Sequence, residues 1–198
     1  MSNLASMKHL LFVLCFSCLV VNMTNAQTQY KRFDSTFKMG RTGYRIVCNN
    51  KNEENTLSVK LIGFENTARD QNYAIKGRVI KGEIDDLNSD GFPDLVLYMA
   101  TGPDGIYGQV FGFASEQNKS IIPFALPDVM LDGKLNQGYK GHDEFQLLEG
   151  VLMQKFPIYK PDDEKDKPTG GSRVIMYQMV ATEGGGFKFK MTKSYELK

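Results

Sequence analysis

The feature that most limits what this chain can fold into is a run of five apolar residues, Leu95-Val96-Leu97-Tyr98-Met99. A strand with one face in water alternates apolar and polar side chains. An unbroken apolar run of strand length calls instead for cover on both faces. Both flanks are turn-like. Before the run stands Asp86-Leu87-Asn88-Ser89-Asp90-Gly91-Phe92-Pro93-Asp94, and after it Thr101-Gly102-Pro103-Asp104-Gly105-Ile106-Tyr107-Gly108. Gly, Pro, Asn and Asp mark turns because they supply unusual φ angles or bond their own backbone. The run therefore reads as a central strand, with residues 109–114 as its hairpin partner across the Gly-rich loop.

The rest of the chain alternates. Phe33, Phe37 and Met39 oppose Asp34, Thr36 and Lys38 in parity; Tyr44, Ile46 and Cys48 follow a turn at Arg41-Thr42-Gly43. Leu57, Val59 and Leu61 form another such set, as do Tyr73, Ile75 and Val79, each bounded by Gly, Asn or Asp. Pro123 and Pro127 demote their stretch to an edge or irregular segment. Residues 145–159 read as strand with a bulge at Gly150, and residues 174–181 and 187–195 as a closing hairpin. Residues 128–137, capped by Asp128, are the one short helix expected. The charged, Pro- and Gly-rich residues 160–172 read as a mobile hairpin tip. The expected fold is all-β: one antiparallel β-sandwich or barrel-like domain of about eight strands, spanning residues 27–198, with at most one short helix.

Residues 1–26 carry the marks of a Sec-type signal peptide: Lys8 and His9, an apolar run from residue 10 to 21, and Thr24-Asn25-Ala26 placing small residues at −3 and −1 of a cleavage site. The run is short for a membrane span. The expectation is a periplasmic or secreted protein beginning at Gln27. Loss of Lys8 would leave basic and acidic residues equal in number, which argues against a nucleic-acid binder. Cys48 would be the single cysteine, so no internal disulfide is possible, and its apolar neighbours in parity read as a buried thiol.

Catalytic sets are missing. His142 is the lone histidine beyond the signal segment, and no Gly-x-Ser-x-Gly, His-Glu-x-x-His or Walker sequence occurs. One His and one Cys are too few for a zinc site. A carboxylate pair could serve a glycosidase, but so many acids offer pairs that the signal is weak. The expectation is a non-enzyme. The Asp-rich turn is more specific. Asp86, Asn88 and Asp90 occupy positions 1, 3 and 5, Gly91 position 6 and Asp94 position 9, an alternation that, with the Phe92 carbonyl, suits calcium. Its spacing resembles calcium loops of the EF-hand type and of integrin-like propeller blades, although Leu97 stands where the EF-hand has Glu. The same residues more readily make a metal-free turn closed by side-chain oxygens. No Lys or Arg occurs between Lys81 and Lys119, whereas seven Asp and Glu do, so the local field favours a cation or a basic partner.

Residues 94–113, DLVLYMATGPDGIYGQVFGF, resemble the periplasmic inhibitors of invertebrate-type lysozyme. That resemblance implies an antiparallel sandwich that inserts a Ser-Gly-x-x-Tyr-like loop into the lysozyme cleft. Thr101 stands for the Ser, Gly102 for the Gly and Tyr107 for the Tyr, with a longer spacing through Pro103 to Ile106. Gly105 would permit the protruding turn, and Asp104 would suit a cationic rim. The Asp-rich turn is not part of that motif. The alternative is a calcium-binding or carbohydrate-binding structural module of the cell envelope, whose mark would be an exposed aromatic platform.

Overall fold

The structure is a computed structural model that describes residues 30–198 except 52, 66, 67 and 103. The expected signal segment, the cleavage point before Gln27 and Pro103 lie outside the described residues. Twelve strands run in chain order: β1 (Phe33–Met39), β2 (Thr42–Cys48), β3 (Glu54–Ile62), β4 (Gln71–Lys76), β5 (Arg78–Asp85), β6 (Asp94–Thr101), β7 (Tyr107–Glu116), β8 (Ser120–Ala125), β9 (Glu144–Leu148), β10 (Val151–Pro157), β11 (Ser172–Ala181) and β12 (Phe187–Leu197). They form three antiparallel four-stranded sheets, β1-β2-β3-β4, β5-β6-β7-β8 and β12-β11-β10-β9. The all-β antiparallel expectation is met. Among the described residues no helix is long and apolar enough to cross a membrane.

The apolar run occupies β6, and all eight of its residues are buried. Because side chains alternate along a strand, Leu95, Leu97 and Met99 enter one core with Tyr44, Ile46, Leu57 and Val59 of the first sheet. Val96 and Tyr98 enter a second core with Leu152, Phe156, Ile175 and Tyr177 of the third. The β7 hairpin partner repeats the division: Phe113 belongs to the first core, Val110 and Ala114 to the second. The sheet containing β6 thus has apolar cover on both faces. Cys48 is buried in the first core.

Two short breaks raise the strand number above the expected eight. Residues 73–79 read as one strand, but Gly77 at φ 101° ends β4 and starts β5, taking the chain from the first sheet into the next. A side chain there would meet the Ala100 carbonyl and Thr101 Cγ2. Residues 145–159 also read as one strand, and Gly150 as a bulge. Instead Glu149 and Gly150, at φ 49° and 73°, form the two-residue turn between β9 and β10, a backbone suited to the twist of a hairpin. Pro123 lies in edge strand β8, as its missing N–H requires. The expected helix shrinks to a 3-10 turn, Val129–Leu131, with Asp128 accepting from the Met130 N–H at 2.9 Å. Residues 160–171 are laced by Asp163, which accepts from the Lys160 and Thr169 N–H groups and the Thr169 hydroxyl.

Two-sided burial of β6 predicts two-sided sensitivity. Leu97→Ala should lower unfolding free energy by about 2–5 kcal/mol through cavity formation. Val96→Ala, on the other face, should cost roughly 1.5 kcal/mol or more, from buried carbons at about 0.8 kcal/mol each. Lys190→Ala on exposed β12 should stay within about 0.5 kcal/mol. Urea titration of the three variants measures this; a neutral Val96→Ala would show that only one face of β6 is packed.

Candidate functional site

Strand β6 separates the two stretches singled out in the sequence. The Asp-rich turn precedes it and the Gly-rich loop follows it, roughly 23 Å apart at about 3.3 Å per residue.

At the first end, side-chain oxygens close the turn. The Asp90 N–H lies 3.0 Å from Asp86 Oδ1 and 3.1 Å from Asn88 Oδ1. The Gly91 N–H donates to Asp86 Oδ2 at 2.8 Å, and the Phe92 N–H to Asp90 Oδ1 at 2.9 Å. Asp86, Asn88 and Asp90 therefore come together, as the spacing implied. Asp94 parts from them. It is fully buried, and its two oxygens accept the Leu87 and Ser115 N–H groups at 2.9 and 2.8 Å. Burial pushes the Asp94 carboxyl up to about 7; the two N–H donors oppose the shift, and Asp90 and Asp86 add to it. Among the described residues no group of three or more His, Cys, Asp or Glu side chains is disposed to hold a metal ion.

At the second end, the loop is braced from three sides. Gly105 N–H donates to the Gly102 carbonyl at 3.0 Å, closing a tight turn in which both glycines have positive φ. Gly102 N–H donates to Glu53 Oε1 at 2.9 Å, and Glu53 also pairs with Arg78 at 3.2 Å. The Arg78 guanidinium lies 5.0 Å over the Tyr30 ring, and the Tyr30 hydroxyl occupies the space a side chain at Gly105 would need. On the far side, the His142 N–H donates to the Ile106 carbonyl at 2.6 Å, and the Gly108 N–H to Asp143 Oδ2 at 2.8 Å.

Asp143 is the centre of that third brace. Besides Gly108 it accepts the Tyr139 hydroxyl at 2.6 Å and the Gln154 amide at 2.7 Å; the Tyr177 hydroxyl in turn donates to Gln154 Oε1 at 3.0 Å. Burial raises the Asp143 carboxyl above its usual range, against the pull of these donors. Burial and the neighbouring carboxylate raise the Tyr139 hydroxyl, so the proton stays on the phenol. These partners come from the residue 139–143 segment, β10 and β11. Nothing local marks an Asp that bonds a backbone N–H 35 residues away.

Of the loop residues picked from sequence, Asp104 is exposed at the tip, Gly105 and Tyr107 are half-buried, and Thr101 is buried. By the resemblance, Thr101 in place of the Ser would bring its hydroxyl to the lysozyme cleft. Instead that hydroxyl donates to the Tyr107 carbonyl at 3.1 Å and closes the base of the loop, because β6 is covered along its whole length. The Tyr107 ring lies beside Gly102 and Gly141, 6.0 Å from the Tyr139 ring. In comparisons with protein-family models and with curated proteins, nothing matches this chain.

The buried carboxyls set a pH dependence. Asp94 keeps its proton to about pH 7 in the folded protein, whereas an unfolded Asp releases it near 4. The native state then binds more protons than the unfolded state in that interval, so this group's contribution to stability falls as pH rises from about 4 to about 7. Asp143 acts in the same direction. Asp34, Asp132 and Asp163 are held below their usual range by hydrogen bonds and act only below about pH 4. Thermal unfolding between pH 5 and 8 should therefore show a decline in wild type that is shallower in Asp94→Asn. An equal slope in the two would contradict the assignment.

Proposed function

We propose that this is an exported binding protein, without catalytic activity of its own, whose residue 101–108 loop engages the cleft of a lysozyme of the invertebrate type. The observation that supports the reading is the bracing just described. Glu53, Asp143 and the His142 backbone hold the loop in the free protein, while Asp104 stays exposed at its tip. A loop already fixed loses little conformational entropy on binding, so more of its contact energy is expressed as affinity. The likeness of residues 94–113 to the lysozyme inhibitors supplies the partner. Export follows from residues 1–26 read as a signal peptide, and places the protein in the periplasm or outside the cell, where lysozymes act.

Within this reading the loop residues divide by role. Asp104 meets a cationic rim, Tyr107 contributes contact area beside it, and Thr101, Gly102 and Gly105 keep the backbone in place. In inhibition assays with an invertebrate-type lysozyme, Tyr107→Ala should weaken binding by about 2 kcal/mol or more, as central aromatic anchors do. Asp104→Lys should slow association and reduce its salt dependence. Wild-type protein that inhibits no lysozyme would end this reading; full inhibition by both variants would move the contact to another surface.

A second reading, a calcium-stabilised envelope module, rests on the spacing of Asp86, Asn88 and Asp90, whose side-chain oxygens close the turn by accepting the Asp90, Gly91 and Phe92 N–H groups. Calcium titration of chelator-treated protein tests it. Heat of binding and a rise in melting temperature, both lost in Asp86→Ala, would support the module; their absence in wild type would remove it.

A further inference from the structure

Residues 30–32 lead into β1 and belong to no strand, yet their course is fixed from outside. The fixing residue is Asn50, just beyond β2. It is 3% exposed and has φ 54°, a left-handed conformation that asparagine adopts more readily than most side chains. Its amide nitrogen donates to the Lys31 carbonyl at 2.9 Å and to the Val79 carbonyl at 2.8 Å, and its oxygen accepts the Val79 N–H at 3.0 Å. One buried side chain thus ties the main chain at Lys31 to strand β5. No part of the binding loop itself requires this bridge.

Fixing Lys31 sets Tyr30 against the loop. The Tyr30 ring lies 5.0 Å from the Arg78 guanidinium, and its hydroxyl abuts Gly105, where any side chain would collide with it. Arg78 pairs with Glu53 at 3.2 Å, and Glu53 accepts the Gly102 N–H at 2.9 Å. The Gly105 N–H closes the circuit onto the Gly102 carbonyl at 3.0 Å. The 102–105 turn is therefore gripped at both ends by one ring of contacts, and Tyr30 is the member that reaches Gly105. Tyr30 is half-buried and joins neither apolar core, so its place in the structure is this contact.

The turn needs such a grip. Gly102 and Gly105 both have positive φ and carry no side chain that could hold them there. Glycine also loses more conformational freedom on ordering than any other residue. Arg78 needs the ring as well. Its side chain is 15% exposed, and a guanidinium stacks well on an aromatic face. The stacked ring keeps Arg78 aimed at Glu53, and Glu53 in turn at Gly102.

We propose that Tyr30 is a positioning residue for the binding loop: residues 30–32, pinned by Asn50, form a strap whose Tyr30 ring keeps the 102–105 turn ready for its partner. This rests on the loop reading above and adds a residue far from the loop in sequence. Without the ring the loop is ready for only part of the time, and apparent affinity falls by that fraction.

The test has two arms. In the first, amide hydrogen exchange is measured in the free protein for wild type, Tyr30→Ala and Tyr30→Phe. Gly102 and Gly105 should exchange about tenfold faster in Tyr30→Ala, through local opening, while β6 amides and melting temperature stay as in wild type. Tyr30→Phe, which keeps the ring, should fall between the two. Unchanged glycine exchange in Tyr30→Ala would overturn the proposal. So would equal acceleration in β6, or a Tyr30→Phe protein no better protected than Tyr30→Ala. In the second arm, binding kinetics with an invertebrate-type lysozyme are compared for wild type and Tyr30→Ala. A positioning residue governs how often the loop is ready, so association should slow by about two- to tenfold while dissociation stays within about twofold. A residue in direct contact would chiefly speed dissociation; that result, or unchanged kinetics, would overturn the positioning role. If wild type binds no lysozyme, the functional reading falls, and the exchange arm alone decides whether the strap sets the loop.

Discussion

Everything in this structure depends on keeping β6 out of water on both faces. Eight consecutive buried residues cannot be covered by one neighbouring sheet, so the chain builds one on either side. Each core supplies part of the stability, and each fully buried Leu, Val or Tyr contributes about 1.5–3 kcal/mol relative to exposure. The central strand is held by side-chain burial above and below and by hydrogen bonds to β5 and β7. Its two ends are thereby anchored, and whatever is built on them starts from a fixed base.

At each end the chain leaves the apolar layer, and buried carboxylates meet the backbone there. Asp94 accepts N–H groups from the turn before β6 and from β7. The Tyr44 hydroxyl donates to the Pro93 carbonyl at 2.7 Å, tying the first sheet to the same corner. Asp143 does the corresponding work at the other end, for Gly108. A buried carboxylate is costly in low dielectric unless donors surround it, which is why both carry raised proton affinity and several partners. The loop's order is thus drawn from long-range bonds to Glu53 and Asp143 as well as from its own turn and base.

The sequence made some of this legible and hid the rest for physical reasons. Alternation exposed most strands, and the break in alternation at Leu95 to Met99 located the central one. Asp128 was readable as a cap, Pro123 as an edge residue and Cys48 as a core thiol. The breaks at Gly77 and Glu149-Gly150 were not, because a lone Gly in an alternating run fits a bulge, a kink or a turn equally well. About eight strands were expected and twelve found in part for the same reason: hidden breaks shorten the strand list. At the site, the loop and the turn were visible as Gly- and Asp-rich segments. Thr101 pointing inward and the brace by Glu53 and Asp143 depend on contacts distant in sequence, which no local pattern encodes.

The central claim is that the residue 101–108 loop is ordered before any partner arrives. Amide hydrogen exchange in the free protein tests it most directly, at Gly102, Gly105 and Gly108, whose N–H groups bond Glu53, the Gly102 carbonyl and Asp143. All three should exchange far more slowly than an unstructured peptide, and Gly108 should lose its protection in Asp143→Ala while β6 amides keep theirs. Exchange of the three glycines at the rate of an open chain would contradict the account.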